Sequence, residues 1–199
     1  EQCIIFSQLC NVLEPSVAVY FGSASSELRV LTQELLQQLR ADYEAAAALC
    51  RKLGMRITSC KELREAKTVE ARERSLRRKG LSSADLKLLG TLGSVLPALE
   101  ALVLYEPADG VQRLAEGLGA GALPALTSLD LGDMHVGYAG ASALAAALGR
   151  GAMPRLKSLV LDTTGIGDAG LVALAPALRR LTDLETLGLT NSSIGDAGL

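Results

Sequence analysis

The chain has 199 residues and a net charge of −2, with 49% hydrophobic, 21% charged and 3% aromatic residues. That balance excludes a disordered chain and gives no global steering toward nucleic acid. The length suits one domain or two small ones, and a Leu/Ala core poor in Phe and Trp fits thin repeated layers better than a large enzyme core.

The apolar stretch from Cys3 to Phe21 is interrupted by Glu14-Pro15 and lacks a basic flank, so it makes a poor membrane span. Within it Val17 to Phe21 is a candidate strand, followed by a loop from Gly22 to Ser26. Next, Leu28, Leu31, Leu35, Leu39, Tyr43, Ala46, Leu49 and Leu53 follow steps of three and four, which predicts one long amphipathic helix ending at Gly54. Its stripe needs a partner surface, and we expect it to fold against the first repeat and cover that repeat's core. Residues 51–80 hold eleven Lys or Arg against four Glu. With no aromatics interleaved, this run reads as a solvated face compensated by Glu62, Glu65, Glu70 and Glu73, in preference to a nucleic-acid patch.

Cys3, Cys10, Cys50 and Cys60 lie outside the repeats and form no Cys-x-x-Cys pair; with His135 as the sole histidine, they argue against a zinc site. Reduced thiols in an intracellular, cytoplasmic protein are the plainer reading, and pairing in a secreted protein is the alternative. The start at Glu1 and the stop at Leu199 in mid-repeat suggest a piece of a longer chain.

The second half repeats every 27 to 30 residues. Four hexamers carry the period: Leu99-x-x-Leu102-x-Leu104, Leu126-x-x-Leu129-x-Leu131, Leu156-x-x-Leu159-x-Leu161 and Leu184-x-x-Leu187-x-Leu189. The last two leucines of each alternate as a short strand requires, and stacked strands of this kind pair into a parallel sheet. Stretches of helical spacing follow at Val111–Leu118, Ala141–Leu148 and Leu171–Leu178, returning the chain. Asp168 and Asp196, in Gly-Asp-Ala-Gly turns, are N-cap candidates, and Tyr138 replaces that Asp in the coil between. Leu81 to Leu86 occupies the place of Ile166 to Leu171, which puts a preceding first strand near Arg74-Ser-Leu76.

Residues 81–199 resemble leucine-rich repeats of the ribonuclease-inhibitor type, a class with about 28 residues per repeat. The resemblance implies an α/β, right-handed solenoid with a parallel sheet on the concave face and helices on the convex face. Here it is preceded by a mainly helical segment over 1–65, with repeats over 66–199 truncated at the C-terminus. The class usually has Asn three residues after the hexamer; here those positions are Pro107, Met134, Thr164 and Ser192, which predicts looser turns in the first two coils.

No catalytic constellation or phosphate loop is visible, and no cofactor or metal is expected. Asp130, Asp133 and Asp162 read as an acidic rim in preference to a metal site. The leading expectation is a non-enzymatic module that binds a protein partner, with neither membrane nor nucleic acid involved. Its candidate residues are the outward positions of the concave face: Val103, Tyr105, Asp130, Gly132, Val160, Asp162, Gly188 and Thr190. The alternatives are a GTPase-activating regulator resembling Ran GTPase-activating protein, and the ligand-sensing arm of a NOD-like receptor.

Overall fold

A computed structural model describes residues 26–53, 60–71, 81–105 and 109–196. The candidate strand at Val17–Phe21 and the turn residue Pro107 lie outside them. Among the described residues two helices come first, α1 (Ser26–Leu53) and α2 (Cys60–Glu65). The strands are β1 (Thr68–Ala71), β2 (Ala101–Leu104), β3 (Ser128–Asp130), β4 (Ser158–Val160) and β5 (Thr186–Gly188), joined in that order into one parallel sheet. Between them run α3 (Ser83–Thr91), α4 (Gly110–Gly117), α5 (Gly137–Gly149) and α6 (Gly167–Leu178). Sheet and helices form two layers with the leucines between, which is the architecture of a solenoid.

The register places Val69, Leu102, Leu129, Leu159 and Leu187 side by side. The central three are fully buried, because alternation turns each hexamer leucine away from the open face of the sheet. One backbone carbonyl before each strand accepts two amides of the next coil. Lys67 O takes Glu100 N and Ala101 N, and the pattern recurs at Glu100 O, Thr127 O and Lys157 O at 2.7 to 3.1 Å. These bonds satisfy backbone that would otherwise be buried without partners.

The first strand corrects the sequence expectation. It is Thr68–Ala71, not Arg74–Leu76, which fall outside the described residues. Val69 stands beside Leu102 and Ala71 beside Leu104, so the first hexamer reads Ala66-x-x-Val69-x-Ala71. Counting back from Leu81 assumed a turn of standard length, and the segment joining β1 to α3 is longer.

The helix layer is closest at its start. A Cβ on Gly90 of α3 would lie 2.3 Å from Leu114 O, and one on Gly117 of α4 would lie 2.3 Å from Lys87 O. Only a residue without a side chain permits this backbone-to-backbone approach. Elsewhere the coils tolerate local strain to bury bulk. Leu123 and Met153 have positive φ (53° and 52°), a conformation that costs an ordinary residue about 1–2 kcal/mol. In return both side chains are buried, and their amides bond Gly93 O at 2.9 Å and Ala122 O at 2.8 Å in the preceding coil.

Asp168 is not an N-cap. It lies inside the first turn of α6, and its Oδ1 accepts the amide of Gly195 in the following coil at 2.7 Å. The cap positions of α5 and α6 are Val136 and Ile166, whose backbones are already helical and whose side chains are buried. A true capping box closes α3, where Ser82 Oγ accepts from Asp85 N and the Asp85 carboxylate accepts from Ser82 N at 2.7 Å.

The cap over the first coil is built from the C-terminal half of α1. Ala46, Leu49, Cys50 and Leu53 are buried in the common core, with Cys60 and Leu63 of α2. Tyr43, counted in the stripe, is 37% exposed, and the side chains of Leu28, Leu31, Leu35 and Leu39 lie outside the described residues. Lys52 reaches from the end of α1 to Asp85 at 2.6 Å. Burial opposes ionisation of Asp85, but hydrogen bonds from Lys52 and Ser82 outweigh it and hold the carboxyl below its ordinary pKa.

Candidate functional site

Because β-strand side chains alternate, the open face of the sheet carries rows of residues fixed by the register. The first row is Thr68, Ala101, Ser128, Ser158 and Thr186, and the second is Glu70, Val103, Asp130, Val160 and Gly188. Two residues further along the strands come Tyr105, Gly132, Asp162 and Thr190. All eight sequence-nominated residues therefore lie on or just beyond this face. Thr68 and Glu70 join them, missed because the first strand was placed too far along the chain. The signal was present in the alternation of Ala66, Val69 and Ala71 with polar residues.

The eight are not equivalent. Asp130 Oδ1 accepts the amide of Gly132 at 2.9 Å, and Asp162 Oδ1 accepts that of Thr190 at 2.7 Å. These carboxylates hold the turns that leave the sheet. Gly132 and Gly188 make room for them: a Cβ at Gly132 would lie 3.1 Å from Asp130 Oδ1, and one at Gly188 would lie 3.0 Å from Asp162 Oδ1. Gly132 is buried, which removes it from any contact surface. Val103, Tyr105, Val160 and Gly188 are half-buried and Thr190 is exposed.

The rim before the strands is charged and self-complementary. Lys67 pairs with Glu100 at 3.0 Å and Lys157 with Glu185 at 2.8 Å, each pair bridging neighbouring coils in the open. The hydrogen bond to Glu185 raises the pKa of Lys157. Exposed pairs of this kind add little stability; they leave the rim without a dominant sign.

On the helix side, a shallow groove of about 400 Å³ runs between α5 and α6, lined by Ala145, Ala146, Gly149, Ala173, Pro176, Ala177 and Arg180. Arg180 lines the groove, and it and Arg150 complete the ends of the preceding helices. Arg150 Nη2 donates to Ala115 O and Leu118 O at the end of α4, both at 3.0 Å, and Arg180 Nη1 reaches Gly149 O at the end of α5. Sequence reasoning missed this role, although a basic residue just past the helix end recurs at Arg150 and at Arg179-Arg180.

His135 is exposed beside Gly165 in the turn after β3. Among the described residues no three His, Cys, Asp or Glu side chains gather as a metal site would need, and no helix is long and apolar enough to cross a membrane.

The model of the family described as Leucine Rich repeat matches residues 122–145 and 153–175. Each match begins at the strained residue's turn, includes one hexamer and strand, and ends within the following helix. The hexamers at Leu99 and Leu184 continue the same unit on either side, in register with the matched strands. The fold is thus an α/β leucine-rich-repeat solenoid, of a kind that commonly mediates protein–protein interaction. No curated protein matches the sequence at a significant level.

Proposed function

We propose that this solenoid is a non-enzymatic interaction module, of the ribonuclease-inhibitor-like repeat type, that binds a protein partner on the open face of its sheet. The observation that supports the reading is the face itself. Strands β2 to β5 present small or half-buried side chains, Ala101, Ser128, Ser158 and Val160 among them, over backbone already hydrogen-bonded within the sheet. A partner can approach such a floor closely without having to satisfy polar groups beneath it.

The test avoids Asp130 and Asp162, because their carboxylates hold turns and their loss would confuse binding with folding. Val160→Lys and Ser158→Lys place charge on the floor and should abolish association with a partner at unchanged melting temperature. Val172→Lys, on exposed helix surface, should leave association intact. The reverse pattern would move the binding surface to the helix side.

A further inference from the structure

The helix layer differs from coil to coil in what it shows to solvent. On α4 the exposed charges satisfy one another: Arg113 pairs with Asp109 at 3.7 Å and with Glu116 at 3.0 Å, and Gln112 also donates to Glu116. The seam between α5 and α6 is apolar instead. It is the groove of about 400 Å³, floored by alanines, and Arg180 alone among its lining residues is charged. Arg150 and Arg179-Arg180 stand where the two helices end. Among the described residues no carboxylate lies within 4 Å of these three arginines. Arg180 reaches only Gly149 O, at 3.5 Å, which leaves most of its five donors for another acceptor. The backbone adds an acceptor of its own. Pro176 lies inside α6 and has no amide proton for Val172 O, four residues back.

We propose that this seam is a second binding surface, on the layer opposite the sheet, which takes an amphipathic helix of a partner protein carrying Asp or Glu in its first turn and laid antiparallel to α5 and α6. The small floor lets the backbone of a third helix approach to the ordinary packing distance of about 8–10 Å. The ends of α5 and α6 carry partial negative charge, so a helix that begins there brings its positive end to them and its acidic first turn to the arginines. A further coil stacked on α6 would leave the seam open, because the groove lies between two helices that are already neighbours. The charge at one end calls for carboxylates at one end. A nucleic acid needs cations along its whole track and rings for its bases, and the lining contains no aromatic residue.

The test presents the full chain to a phage-displayed library of helices of about 14 residues, with a fixed Ala/Leu stripe and with Glu, Lys or Ser varied in the first and last turns. Selection should enrich Glu in the first turn over Glu in the last. As synthetic peptides, the selected helices should bind about tenfold or more weakly to Arg180→Glu, and likewise to Ala146→Glu, which puts charge on an exposed part of the floor. Melting temperatures of both variants should match the parent. Lys in place of the first-turn Glu should restore binding to Arg180→Glu. Ser158→Lys, on the sheet face, should change nothing, so this surface and the sheet-face reading fail separately. Absence of enrichment, acid selected equally at both ends, or binding indifferent to both groove substitutions would overturn the proposal. A single-stranded oligonucleotide that displaces the peptides and itself depends on Arg180 would overturn it too, by assigning the arginines to phosphate.

Discussion

The two ends of the sheet carry the same leucine pattern in different surroundings. At the covered end Leu102 is fully buried beneath β1 and the helical cap, whereas at the far end its counterpart Leu187 is 38% exposed, and Leu184, Leu189 and Ile194 are half-buried. A hexamer thus encodes which way a leucine points; whether that leucine is dry depends on the next layer. The cap at the N-terminal end supplies that layer from unrelated sequence.

The sharpest way to break the contrast is at the glycine seam next to the covered end. Gly117→Ala drives a methyl group to within 2.3 Å of Lys87 O and should cost about 3 kcal/mol or more, while Gly149→Ala, with open space around it, should stay within about 0.5 kcal/mol. Chemical denaturation of the two variants measures the difference. The leucine comparison itself comes next: Leu102→Ala should lose about 3 kcal/mol and Leu187→Ala about 1 kcal/mol, because the second leucine has less buried surface to give up. Equal losses would mean that something covers the far end in solution.

Smaller effects test how the cap is held. Asp85→Ala removes the capping box and the Lys52 contact together and should cost about 1–2 kcal/mol. The folded pKa of Asp85 is depressed, so its contribution is present above the unfolded value of about 3.9 and is lost as pH falls through the folded one. Amide exchange in α3 should accelerate in that acid range for the parent chain and not for the variant. Smallest is the turn after β4. Thr164 Oγ1 and Ser192 Oγ both donate to Leu161 O, at 2.7 and 2.6 Å, so Thr164→Val should cost less than about 1 kcal/mol because Ser192 keeps that carbonyl satisfied. The turn at the buried Met134 has no side-chain donor of this kind, and its amides at Asp133 and Val136 should exchange faster than those at Thr163 and Gly167.

The solenoid was legible because its period is simple physics: leucines alternating in a strand and helical spacing in the return. The long helix was legible for the same reason. The first strand was not, since Val69 and Ala71 replace leucines there and the turn after it is longer than the period implies. Gly90 and Gly117 gave no sign of their close approach, which depends on how two helices from different coils meet. The face residues were identified by alternation alone, yet alternation cannot separate a side chain that greets a partner from one, such as Asp130 or Asp162, that folds back on its own turn. Asp168 illustrates the same limit: local sequence reads as a cap, and the preferred partner was an amide twenty-seven residues away.

The arginine bridges, with the carboxylates of Asp162 and Asp168, give the stack a direction. Arg150 finishes the helix of the coil before it, Thr190 and Gly195 supply the protons that Asp162 and Asp168 await, and in each case the later coil completes the earlier one. As in masonry, every course locks the one beneath: part of the polar end of each coil is satisfied by the coil that follows it.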